Sequence, residues 1–168
     1  RDNYQYDKER KVIAKGLGSV KYLNKKVGEE LYELSQANKY THFMDLLVDI
    51  CAKTSTDTRQ LDTLIKIDFL TDFGNQRELL RLTELFYDLF KRGEAKRLGS
   101  EKVDGTKLEP IVTKYAVGTT KTGQLSKSYV LLDINSIMRE VEDELRTMNL
   151  DDLSDVLKVR NFMEIMGY

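Results

Sequence analysis

The chain has one cysteine, one histidine, one proline and no tryptophan, and each scarcity removes a class of function. Cys51 alone cannot close an internal disulfide, and with His42 as the sole imidazole there is no Cys/His set for a zinc ion or a haem. Cys51 follows Leu46, Leu47, Val48 and Ile50 on an apolar helix and reads as a packing thiol. His42, beside Phe43 at a helix start, reads as a capping or surface residue. No apolar run approaches the roughly 18 residues that a membrane helix needs, and no signal peptide is visible, so no membrane partner is expected and the cytoplasm is the default compartment. Walker-type phosphate loops, nucleophile elbows and credible nucleophile–histidine pairs are missing as well.

What is present is a charge-rich chain, 33% charged and 40% hydrophobic over 168 residues, enough for one ordinary domain with a modest core. Its net charge of −1 conceals a sorting of sign along the sequence. From Lys8 to Lys26 stand Lys8, Arg10, Lys11, Lys15, Lys21, Lys25 and Lys26 against Glu9 alone. From Asp133 to Asp155 the acids Asp133, Glu140, Glu142, Asp143, Glu144, Asp151, Asp152 and Asp155 face only Arg139 and Arg146. A basic arm of this kind suits phosphate, whereas Glu142-Asp143-Glu144 and Asp151-Asp152 read as solvated helix faces.

Periodicity predicts helices through most of the chain. Val27, Leu31 and Leu34 share one face of a helix that begins near Lys25 and fades at Ala37-Asn38-Lys39. Thr41–Lys53 reads as the next, with the Thr41 hydroxyl as N-cap. Asp57 and Gln60, then Asn75 and Glu78, are spaced as capping boxes that open two further helices. The second of these carries Leu79, Leu80, Leu82, Leu85, Phe86, Leu89 and Phe90 on a broad apolar face, with Gly93 as its stop. Phe86-Tyr87-Asp88-Leu89-Phe90 faintly resembles a sliding-clamp-binding peptide, but it completes that apolar face and reads as core. Leu98–Ser128 holds four glycines and the only proline and reads as loop, in which Lys107–Ala116 admits a short helix or an extended piece and Ser128–Leu132 a brief strand. Two C-terminal helices follow, one after Asp133 and one ended by Gly167.

Two turns stand out, Lys15–Lys26 and Leu64–Arg77, because a short turn opening a helix presents backbone N–H groups to an anion. Lys15-Gly16-Leu17-Gly18-Ser19-Val20-Lys21, the helix containing Phe43-Met44-Asp45-Leu46-Leu47-Val48-Asp49, and Leu64-Ile65-Lys66 with Phe73-Gly74-Asn75-Gln76-Arg77 follow one another in an order that resembles the helix-hairpin-helix region of bacterial family C replicative DNA polymerases, the DNA polymerase III alpha subunit. The resemblance covers roughly residues 10–90, and Phe162–Tyr168 is similar to the segment by which that region leads onward. Two departures matter. Tyr22-Leu23-Asn24 stands where the family's first hairpin usually carries Gly-x-Gly, and Asp68 stands where the second has glycine, with Asp72 nearby.

The resemblance implies an all-α, helix-hairpin-helix-containing domain over residues 8–97; the composition beyond it reads as a loop or linker over 98–132, with room for a short strand or hairpin, and a C-terminal helical segment over 133–168 leads to a following domain. It implies a non-catalytic fragment of a DNA-directed DNA polymerase, a nucleotidyltransferase whose palm and magnesium ions lie elsewhere, so that no catalytic residue, metal ligand or cofactor is expected here. The expected partner is double-stranded DNA, contacted without regard to sequence through Lys15, Gly16, Gly18, Lys21, Asn24, Lys25 and Lys26. Gly74, Asn75 and Arg77 are expected to brace the second hairpin or touch phosphate, Asn75 as N-cap and Arg77 toward neighbouring carbonyls. Other polymerase domains and the sliding clamp are further expected partners, in a bacterial cytoplasm. The competing expectation is a helical scaffold that contacts protein through its acidic C-terminal helices or through the Leu79–Phe90 face.

Overall fold

The computed structural model describes residues 20, 22–37, 39–91, 94–119 and 128–166. Lys15, Gly16, Gly18 and Lys21 of the expected DNA contact, and the expected helix stops Gly93 and Gly167, lie outside the described residues. Eight α-helices are described: α1 (Lys25–Ala37), α2 (Phe43–Lys53), α3 (Thr58–Lys66), α4 (Gln76–Leu85), α5 (Ser100–Val103), α6 (Glu109–Tyr115), α7 (Ile134–Thr147) and α8 (Asp155–Met166). A 3-10 turn, Thr71–Phe73, precedes α4. A π-turn, Phe86–Phe90, prolongs α4 and ends at Lys91 in a left-handed conformation.

The fold is mostly helical but not all-α. Strands β1 (Arg97–Gly99), β2 (Ala116–Thr119) and β3 (Ser128–Leu131) form an antiparallel sheet in the order β1-β3-β2, with Leu98 opposite Tyr129 and Val117 opposite Val130. Strands of three or four residues are too short to show a period of two, so only β3, with its Tyr-Val-Leu run, left a trace in the sequence. The helix admitted within Lys107–Ala116 is α6, with Pro110 in its first turn where a missing N–H costs nothing.

Helix α7 is the organising element. Ile137, Met138, Val141 and Leu145 recur at spacings of three and four and are all buried. They let α7 pack against α2, α4 and α6 at once. Helix α4 in turn contacts α2 and α3, and α3 contacts α8. Phe43, Phe86, Phe90, Leu47, Ile50 and Leu82 fill the centre with almost no exposure. Phe86, Leu89 and Phe90 are therefore core, and the Leu79–Phe90 face is largely covered within the chain, with Leu80 and Leu85 half-buried.

Two expectations about α2 need correction. Its N-cap is His42, whose side chain makes no capping bond, and the Thr41 hydroxyl instead lies 3.2 Å from the His42 ring. The cap comes from a residue 99 positions away: Glu142 is 1% exposed, not part of a solvated face, and its carboxylate accepts from the N–H groups of Phe43 (3.0 Å) and Met44 (2.7 Å). A carboxylate at a helix N-terminus is favoured by both the orphan donors and the dipole. Arg146, one turn on in α7, donates to Glu142 (3.0 Å), so the buried charge is paired and bonded as burial requires.

Candidate nucleic-acid interface

Of the first four described helices, three begin with donors already occupied by the chain's own carboxylates. At α2 the acceptor is Glu142. At α3 it is Asp57, which accepts from the Gln60 N–H (2.8 Å) while the Gln60 side chain accepts from the Asp57 N–H (2.9 Å), the capping box read from the sequence.

At α4, behind the second hairpin, the closure is more complete. Asn75 is the N-cap, as expected, accepting from the Glu78 N–H (2.9 Å), and Glu78 accepts from the Asn75 N–H (3.2 Å). Asp152 accepts from the Gln76 N–H (3.0 Å). The Asn75 amide also donates to the carbonyl of Leu150 (2.9 Å), which ties the hairpin to the chain between α7 and α8. Burial works against charge on Asp152, but the Lys158 ammonium and the N–H groups of Leu153 and Gln76 together outweigh it and hold the carboxyl below the usual carboxylate range. The guanidinium that braces this hairpin is that of Arg146, which donates to the Phe73 carbonyl and lies 3.7 Å from Glu78, whereas Arg77 is exposed. Arg146 also lies against Gly74, whose φ of 144° suits glycine, and a Cβ there would come within 2.9 Å of the guanidinium.

Helix α1 differs. Asn24, a neutral side chain, accepts from the Val27 N–H (2.9 Å), and its carbonyl accepts from the Gly28 N–H (3.2 Å). Among the described residues nothing accepts from the N–H groups of Lys25 and Lys26, and no acid lies in the first turn. Lys25 and Lys26 are exposed at the positive end of the helix dipole, each at a cost of about 0.3–1 kcal/mol. Lys25 has Glu29 at 3.9 Å, and among the described residues Lys26 has no carboxylate within ion-pair distance. The exposed anion receptor of the hairpins is thus the start of α1.

The turn before α1 keeps the geometry that glycine would supply without the glycine. Tyr22, two residues before its N-cap Asn24, has φ 73°, and Asp68, just after α3 and ahead of the Thr71–Phe73 turn, has φ 61°. Left-handed backbone costs a non-glycine residue about 1–2 kcal/mol, so each must be held. Asp68 is held by the buried Gln76 amide, which donates to its carboxylate (2.9 Å). Tyr22 is held from α3: the Gln60 amide donates to its carbonyl (3.0 Å), and the Arg59 guanidinium lies 3.5 Å from the centre of its ring. An exposed cation–π contact returns about 0.5–1 kcal/mol. Sequence reading missed Arg59, Glu142, Arg146 and Asp152, and the bond from Gln60 to Tyr22, because each acts on a partner far away in the chain. A spare arginine on the first turn of α3, next to the capping glutamine, was the one local sign.

Residues 2–80 match the family model of the helix-hairpin-helix motif. Helix-hairpin-helix motifs in general bind nucleic acid, and the two turns described above lie within the matched stretch. Comparison with curated proteins and with solved structures gives no match. Among the described residues no helix is long and apolar enough to cross a membrane, and no cluster of three or more His, Cys, Asp or Glu side chains is placed to hold a metal ion.

Proposed function

We propose that the chain is a non-catalytic segment of a bacterial family C replicative DNA polymerase that holds duplex DNA by its phosphates, without regard to sequence. The observation that carries this reading is the contrast among helix N-termini: of the first four described helices, α1 alone begins without a carboxylate from the described residues on its donors and instead with two lysines. Lysines at that end oppose the dipole unless an anion sits between them and the helix. Backbone donors and lysines recognise phosphate rather than base edges, which makes the contact indifferent to sequence. The polymerase assignment is supported by the order and spacing of the hairpin motifs, and in that setting the palm and its magnesium ions belong to another part of the polypeptide.

Fluorescence anisotropy with a short duplex tests the phosphate contact. Affinity is expected to fall as salt rises, with a logarithmic slope of about −0.9 for each phosphate neutralised. Binding that ignores salt, or none at low salt, overturns the reading.

A second reading, that of a scaffold between protein domains, has its own observation. Val156, Val159, Phe162, Met163 and Met166 of α8 form a stripe open to solvent, with Val156 73% exposed. Charge reversal at Lys25 and Lys26 that leaves duplex affinity untouched, together with capture of another polymerase segment lost on Val159→Glu, would favour the scaffold.

A further inference from the structure

We infer that the Tyr22–Arg59 pair is a stacking platform for an unpaired nucleobase, so that the first hairpin prefers duplex DNA bordered by single strand to fully paired duplex. The inference rests on the phosphate contact at the start of α1 and names the form of nucleic acid that this site takes. Tyr22 is 38% exposed, Arg59 is exposed, and the two are stacked with the guanidinium 3.5 Å from the ring centre. Both offer flat, weakly hydrated surfaces on which any base can lie, irrespective of its identity.

The pair is also fixed in place. Tyr22 is anchored through its carbonyl by Gln60, and Gln60 is locked by Asp57 in the capping box one position from Arg59. Platform and phosphate donors share one turn, since only Leu23 separates Tyr22 from Asn24, Lys25 and Lys26. A base seated on the pair can therefore belong to the strand whose phosphate meets α1.

The neighbouring cavity, of about 160 Å³, carries both signs of charge in its wall, Arg59 and Lys66 beside Asp62 and Glu164. Asp62 is paired with Lys66 at 2.8 Å, and Glu164 can accept from the amino or ring N–H groups of a base. Thr63 and Asn161, in the same wall, supply neutral hydrogen-bonding groups. A glycine at position 22 would suit the backbone better and would offer no ring.

The test compares three probes by anisotropy: a blunt duplex, the same duplex with a short single-stranded tail, and that tail made abasic, which keeps the phosphates and removes the bases. Binding to the tail with bases is expected to be roughly tenfold tighter than to the abasic tail, with quenching of 2-aminopurine placed in the tail. Tyr22→Phe is expected to keep that ratio, and Tyr22→Gly, which relieves the backbone, to bring it to unity. Equal binding of the two tails by the unaltered chain, or unchanged 2-aminopurine fluorescence, overturns the stacking inference while leaving the phosphate contact standing. Failure to bind the blunt duplex and both tails overturns the phosphate contact and the inference with it.

Discussion

The two turns share a left-handed residue and an asparagine N-cap and end with opposite chemistry. Each turns on a non-glycine residue in the left-handed region, Tyr22 in one and Asp68 in the other, and each opens a helix with an asparagine N-cap, Asn24 and Asn75. In the second hairpin the chain supplies the anions itself: Glu78 and Asp152 take the donors of Asn75 and Gln76, and Arg146 takes the Phe73 carbonyl. In the first the donors of Lys25 and Lys26 face outward beside their own ammonium groups. A turn of this shape is thus not in itself a phosphate site; what decides is whether the rest of the molecule has already filled it.

The comparison is broken most severely through Glu142 and Arg146, which tie α2 to the second hairpin. Glu142→Ala leaves two buried N–H groups and the Arg146 charge without their acceptor, and is expected to lower stability by about 3 kcal/mol in urea denaturation. A loss below about 1 kcal/mol would mean that α2 finds another acceptor. Next comes the double reversal Lys25→Glu with Lys26→Glu, for which affinity and stability should move in opposite directions. Duplex affinity is expected to fall roughly tenfold and the salt slope by about two, while stability rises by about 0.5 kcal/mol per residue because acids suit a helix N-terminus. Arg77→Glu, on the closed hairpin, is expected to leave affinity within about twofold.

A smaller effect is expected at Asp152. Its carboxyl is held below the ordinary range, so its charge stabilises the fold above about pH 4, the usual value of an unfolded aspartate, and that contribution is lost as pH falls through the folded value. Asp152→Asn should lower stability by about 1 kcal/mol at neutral pH and flatten the acid limb of the stability profile, read by thermal melting between pH 2 and 7. The smallest is Asp68→Gly, where relief of the left-handed backbone and loss of the Gln76 bond oppose each other and the net change is expected to stay within about 0.5 kcal/mol.

Local physics was legible in the sequence and distant physics was not. Asp57 with Gln60 and Asn75 with Glu78 could be read as capping boxes because both partners lie within one helical turn. The apolar periods of α1, α2, α4 and α7 could be read for the same reason, as could the lysines at the start of α1. Glu142 could not, since a run of three acids looks like a solvated face until α2 is brought against it from 99 residues away. Nor could the Tyr22–Arg59 stack, in which the ring and the guanidinium come from different elements. The sheet escaped because β1 and β2 gain their meaning only from pairing with β3.

The Glu142 carboxylate on α2 also has a consequence for the order in which the molecule can assemble. As the chain emerges from the ribosome, α1 to α4 are made long before α7, and until α7 arrives the start of α2 keeps two unsatisfied donors on a surface that α7 will cover. The closing contact spans nearly a hundred residues, a separation that slows folding because the loop must close before the contact rewards it. The amino-terminal helices are therefore expected to wait as a loose, protease-sensitive collection and to lock only when residue 142 is in place, so that the emergence of α7, rather than growth of each helix, sets the moment at which this domain becomes resistant.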